Sequence, residues 1–350
     1  MPDRPRKWNK RFDTYLHRKA AERGNVLAMA GLAAMLREQG ELAEAEAWYR
    51  KAAAGGDRVS MTALAHLLAE RGAHDEAERW YHEAAVAGDA HGMLHLGRAH
   101  ERRHEFESAE RWWRSAADAG DVDAMAALGH LLITRGRPAE ADEWCRQAAE
   151  AGNTGAMVDL GVLLREQGRA AQAIRWWHRA LEGGELAATC LLGHQAERVG
   201  RPQEAEDWYR RGAEGRDRQA MVRLGLLLHR RGDLGEAEVW YLEAAEQGDA
   251  VAFTNLGVLA RHRGDDQQAA AWYRQAAEHG SVPALTHLGY LAEAAGDAAR
   301  AEKWFQSAAE SGDVQGMLGL ARLLEARGAD AAARAWLTRA DNARTDSDRH

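Results

Sequence analysis

Histidine is the side chain through which this sequence could do chemistry. Sixteen are present, and the densest group is His91, His95, His100 and His104. His91/His95 and His100/His104 are spaced i, i+4, which on a helix brings two imidazoles within reach of one ion. A zinc site needs three or four ligands, however, and the two pairs lie nearly two turns apart. The only cysteines, Cys145 and Cys190, form no Cys-x-x-Cys. Packed or solvated histidines are therefore expected, with no metal and no cofactor.

Nucleophilic chemistry has less to stand on. The sequence offers no glycine-framed serine, phosphate loop or reactive-cysteine context. Carboxylate pairs such as Glu44/Glu46 and Glu236/Glu238 read as solubilising charges. No enzyme is expected. A net charge of -8 disfavours non-specific nucleic-acid binding, which depends on neutralising phosphates. No run of about 18 apolar residues could span a bilayer, and Met1 to Arg11 are basic without the apolar core of a secretory signal. The two cysteines imply no disulfide framework, so the cytoplasm is the expected compartment. Arginine outnumbers lysine 41 to 5 and alanine is abundant, as in proteins of GC-rich bacteria.

What must position any of these residues is a repeat. Tryptophan recurs every 32 residues from Trp48 to Trp336 without insertion or deletion, each with alanine three residues before it. Four residues after it stands alanine, or Gly212 in one copy. These offsets share one helical face and predict a buried ring between small neighbours. An earlier stretch of each copy carries leucine, from Leu32 to Leu320, followed by glycine or alanine. A mid-helix glycine costs about 1 kcal/mol against alanine, so its recurrence predicts close approach by a neighbouring helix.

The copies run about 25–56, 57–88, 89–120, 121–152, 153–184, 185–216, 217–248, 249–280, 281–312 and 313–344. Each opens with a short polar cap residue such as Asn25 or Asp57, and glycine marks the end of each helix. The exceptions are Glu185 at a cap and His104 and Arg216 at closing glycines, which predict weakened packing or a shifted turn there. Residues 12–23 resemble the second half of a repeat and are expected to form a capping helix. Residues 1–11 read as a disordered basic arm, and 345–350 as a disordered tail. One continuous array over 12–344 is expected.

The Leu-Gly pair, the alanine before the Trp-aromatic pair, and the Ala-Ala ending in Gly-Asp or Gly-Asn resemble tetratricopeptide-type repeats, specifically their Sel-like subfamily. The period is shorter than usual in that family, and its closing proline is missing. The resemblance implies an all-α, right-handed α-solenoid superhelix of ten helix-turn-helix repeats. It also implies that first helices line a concave groove that holds a peptide or partner protein, without catalysis.

The residue after the Leu-Gly pair would then face the groove. Along it lie His66, Arg98, His130, His194, Tyr290 and Arg322, the candidate partner-binding residues. One turn earlier the row is mostly small or apolar, with Thr62, Leu94, Val222 and Thr286 among its members, and would form the groove floor. Such a surface suits a partner with acidic and apolar side chains, binding more tightly as histidines protonate near pH ~6.5. Two alternatives stand beside it: the row is merely solvated, or the array is a self-associating structural module.

Overall fold

The computed structural model describes residues 10–347, with side chains from 13 to 345. All 21 elements among them are α-helices, in two compact units, Met1–Gly184 and Glu185–His350. The first unit holds α1 (Lys10–Glu22), α2 (Val26–Glu38), α3 (Leu42–Ala54), α4 (Arg58–Glu70), α5 (His74–Val86), α6 (Ala90–Arg102), α7 (Phe106–Asp118), α8 (Val122–Thr134), α9 (Pro138–Glu150), α10 (Thr154–Glu166) and α11 (Ala170–Glu182). The second holds α12 (Ala187–Arg198), α13 (Pro202–Glu214), α14 (Arg218–Arg231), α15 (Leu234–Glu246), α16 (Ala250–His262), α17 (Asp266–Glu278), α18 (Val282–Ala294), α19 (Ala298–Glu310), α20 (Val314–Ala326) and α21 (Asp330–Ser347). Within each unit, even-numbered helices pair with the odd-numbered helix that follows, and pairs stack in order; α1 packs on α2.

Most of the expected arm and tail, residues 1–9 and 348–350, lies outside the described residues. Helix α1 starts at Lys10 rather than 12, and α21 continues to Ser347, beyond 344.

Local chemistry sets the boundaries. Eight of the ten expected cap residues accept a hydrogen bond from the amide three positions on, beginning with Asn25 and Asp57. Ser281 instead pairs its hydroxyl with Thr254 at 2.9 Å. Glu185 provides no cap, and α12 opens one residue late, at Ala187 behind Leu186. The closing glycines all have positive φ, and His104 and Arg216 adopt the same left-handed conformation at φ 60° and 66°. The two exceptions thus keep the turn, at a cost of about 1 kcal/mol each, instead of shifting it.

The core differs from expectation by one residue. Only Trp48 of the recurring tryptophans is buried; the nine later ones are half-buried. The fully enclosed side chain is the next one, Trp113, Cys145, Trp177, Tyr209, Tyr241, Tyr273 or Phe305, with Tyr81 at the same position 8% exposed. Along α5 the buried residues are Ala77, Tyr81, Ala84 and Ala85, a stripe from which Trp80 lies nearly a quarter turn off centre. The recurring glycine packs against this second ring. A Cβ on Gly97 or Gly161 would stand 2.2 Å from the indole nitrogen of Trp113 or Trp177. The close approach predicted at those glycines is real, and it is made by an aromatic ring of the paired helix. Those indoles also donate to backbone carbonyls, Trp113 to Leu94 at 3.1 Å and Trp177 to Val158 at 3.3 Å.

Candidate functional site

In the first unit the candidate row falls on α4, α6 and α8. Arg98 is exposed and makes no hydrogen bond or ion pair among the described residues. His130 is exposed, with Nδ1 3.1 Å from Asp159 on α10, and this partner raises its pKa despite partial burial. His66 is different. It is half-buried, its Nδ1 lies 3.1 Å from the Tyr81 hydroxyl, and burial lowers its pKa, helped by the charge of Arg37. His66 is thus a neutral packed ring, and the row is no uniform cationic ridge.

In the second unit His194 on α12 is half-buried. Tyr290 on α18 sets its ring edge-on to Phe305 at 5.1 Å, under the Arg322 guanidinium at 5.8 Å. Arg322 on α20 is exposed but ion-paired with Glu293.

The expected apolar floor divides: Ala30, Ala126, Val158, Cys190, Thr254 and Leu318 are half-buried, and four members are fully packed. Thr62, Leu94, Val222 and Thr286 are buried between helices rather than lining a surface. The threonines tie successive repeats together: Thr62 donates to Asp89 at 2.6 Å, and Thr286 to Asp313 at 2.5 Å. At two places the candidate row is bordered by the residue before a leucine, His95 beside His66 and Asp159 beside His130. The pairings His66–His95 and His130–Asp159 join residues 29 apart, a spacing set by adjacent repeats that no single-helix pattern contains.

His95 is the most perturbed of these. It stacks on Tyr81 with centroids 4.7 Å apart and planes at 14°, and meets His66 edge-on at 4.4 Å. Burial, reinforced by His66 and Arg98, pushes its pKa down to about 3. The ring trio lines a cavity of about 650 Å³ among α4, α5 and α6, together with Ala69, Asp75, Ala77, Glu78, Ala99 and Arg102.

The histidine group of α6 resolves into separate environments. His91 pairs with Asp121 at 3.1 Å, while His100 approaches Glu105 at 2.6 Å. The string His100-Glu101-Arg102-Arg103-His104 has the His-Glu-x-x-His order of zinc-peptidase helices, a signal that pairwise spacing leaves out. The order needs a continuous helix to aim both imidazoles alike. Here α6 ends at Arg102, and His104 sits in the left-handed turn with its ring against Phe106. No group of three or more potential ligands is gathered for a metal among the described residues.

Cys145 fills a ring slot and its thiol is pushed up to about 12 by burial; Cys190 is half-buried and raised to about 11, chiefly for the same reason. Neither has the depressed pKa of a reactive thiol. Among the described residues no helix is long and apolar enough to cross a membrane.

Models of the tetratricopeptide repeat match residues 26–56, 58–86, 94–156, 154–186, 190–252 and 252–280, and the Sel1 repeat model matches 283–313. No curated protein matches the sequence. Among solved structures, a protective antigen of uropathogenic Escherichia coli displaying an SLR fold is 25% identical, with TM-score 0.59 over 95% of this chain and 82% of its own. A Sel1 repeat protein from Oxalobacter formigenes is 26% identical, with TM-score 0.53 over 62% of this chain and 99% of its own. The human IFIT1 dimer with PPP-AAAA, at 14% identity and TM-score 0.52 over 94% of each chain, shares the fold alone. Tetratricopeptide and Sel1 repeats generally serve as protein–protein interaction scaffolds and are typically not enzymes. With its stacked helix pairs, ring-and-glycine core and these matches, the chain belongs to the tetratricopeptide-type helical repeat proteins, of the Sel1-like kind.

Proposed function

We propose that this chain is a non-enzymatic cytoplasmic scaffold that holds a peptide or partner protein in a groove along its first helices. The segment it binds carries acidic and apolar side chains. The observation that carries this reading is on α6, where Arg98 and Arg102 are exposed and make no hydrogen bond or ion pair among the described residues. Some other arginines are engaged, Arg71 with Glu46 at 2.8 Å, Arg263 with Glu238 and Arg327 with Glu302 at 2.9 Å, while Arg79, Arg175, Arg261 and Arg274 are free among the described residues singly rather than as neighbours one turn apart. Arg98 and Arg102 are left to meet a carboxylate from outside. His130 and Arg322 contribute less, because an incoming acid must displace Asp159 or Glu293. Tyr290 supplies an apolar contact in the second unit. Any tightening in acid rests on His130, whose pKa is raised, and not on His66, whose pKa is lowered.

The test is selection from a random peptide library, followed by titration of the recovered peptides. They should be rich in acidic and apolar residues, and the quadruple variant His66→Ala, Arg98→Ala, His130→Ala, His194→Ala should weaken them by about tenfold or more. Equal binding to the variant sinks the row. Scattering mass that grows with concentration, with no peptide recovered, indicates self-association instead.

A further inference from the structure

Seven of the ten repeats carry leucine where the third carries Ala99, and Met35 and Gln195 fill two of the others. Ala69 is a second small exception, since the other nine copies carry isoleucine, histidine or a charged side chain. Both alanines line the cavity of about 650 Å³ among α4, α5 and α6, together with buried Ala77. Its volume lies within the range of sites that enclose most of a small guest.

One wall is aromatic throughout. Tyr81 and His95 lie nearly parallel, and His66 stands edge-on to each, at 5.5 Å from Tyr81 and 4.4 Å from His95. Burial keeps both imidazoles uncharged at neutral pH. The charged lining is mixed: Arg102 has no ion pair among the described residues, Arg103 is engaged by Glu78, and His74 and Asp75 stand beside them. Arg98 continues the basic side of α6 one turn earlier.

We propose that this cavity anchors the partner segment by taking one of its aromatic side chains, with flanking carboxylates meeting Arg98 and Arg102. This rests on the partner-binding reading above. An aromatic guest gains edge-to-face contact with the three rings, and a guanidinium can cover its face. Three alanines leave the space for it. An aliphatic guest fills the space without the ring contacts, and a basic segment meets Arg98 and Arg102 with only Asp75 of the lining open to pair with it.

The experiment is calorimetric titration of the full chain with the capped peptides EEFEE, EEAEE and KKFKK. EEFEE should bind about tenfold or more tighter than EEAEE, with KKFKK weakest. Ala99→Leu, which restores the side chain common to other repeats, should weaken EEFEE about tenfold while leaving the melting temperature the same or higher. Arg102→Ala should weaken it about threefold and flatten its salt dependence. The anchor is overturned if EEFEE binds no tighter than EEAEE, if its Kd exceeds about 1 mM, or if Ala99→Leu binds it as the wild type does. If Ala99→Leu keeps the affinity that the quadruple row variant loses, the anchor fails while the groove stands.

Discussion

The ring trio of the first unit has a counterpart six repeats later in the second. Tyr273 stacks on His287 with centroids 4.8 Å apart and planes at 14°, nearly the geometry of Tyr81 on His95. The surroundings have diverged. Val258 stands where His66 does, Leu291 where Ala99 does, Arg261 where Ala69 does, and Ala294 where Arg102 does. In the first unit the tyrosine hydroxyl has His66 as a partner; in the second the Tyr273 hydroxyl and His287 Nδ1 are buried without a hydrogen-bond partner. Stacking a tyrosine on a histidine is therefore a packing solution the repeat can reuse. Of the two stacks, only that of Tyr81 on His95 has a partner for the hydroxyl and an open space beside the rings.

The largest expected effect comes from Leu291→Ala, which gives the second unit the small residue of the first. Leu291 is buried, and its loss should cost about 2–4 kcal/mol, read as faster amide exchange confined to α17–α19. A cost below about 0.5 kcal/mol would make the leucine a surface residue and remove the contrast.

The acid response is next. His95 titrates at about 3 in the fold against 6.5 for an unperturbed histidine, under the influence of His66, Arg98, His91 and Arg102 as well as burial. A depressed pKa means the unfolded chain binds the proton first, so stability is full above pH ~6.5 and falls as pH drops toward 3. Between pH 7.5 and 4.5 the wild type should lose roughly 2 kcal/mol that His95→Phe does not lose. His287, lowered by burial and by Arg261 against the pull of Asp313, should show the same sign. Equal acid sensitivity in His95→Phe and wild type would show that His95 is solvated.

Much of the fold was legible because the backbone makes demands few residues meet. A left-handed turn asks for glycine, and a helix start asks for Asn or Asp, so these recur in phase and can be read directly. The tryptophan was misplaced because adjacent aromatics at offsets 3 and 4 from the alanine both lie near the apolar face. The second alanine of the pair, such as Ala85, is what moves the centre of the stripe onto Tyr81. Arg98 and His130 were legible as exposed row members. His95 was not, because its state depends on His66 and Tyr81 in the preceding repeat, and helical periodicity within one segment contains no such contact.

Removing one hydroxyl from each tyrosine separates the two regions at smaller scale. Tyr81→Phe breaks a hydrogen bond to His66 and should cost about 1 kcal/mol. Tyr273→Phe removes a buried oxygen with no partner and should be neutral or stabilising by about 1 kcal/mol. Losses of equal size would mean that the Tyr273 hydroxyl has a partner after all.

The smallest and most specific effect is the reverse exchange, Val258→His. Position 258 bears the same relation to Tyr273 as His66 bears to Tyr81, so the new imidazole should reach the orphan hydroxyl in the same way. Two terms oppose each other: a half-buried valine gives up apolar contact, and a buried oxygen gains a hydrogen bond. A net gain of a few tenths to about 1 kcal/mol is expected, because an unpaired buried polar group costs more than a mean hydrogen bond returns. The gain should vanish in Val258→His combined with Tyr273→Phe, which leaves the histidine nothing to bond. If the gain persists in the double variant, the histidine stabilises through packing alone, and the pairing of His66 with Tyr81 cannot be what distinguishes the first unit.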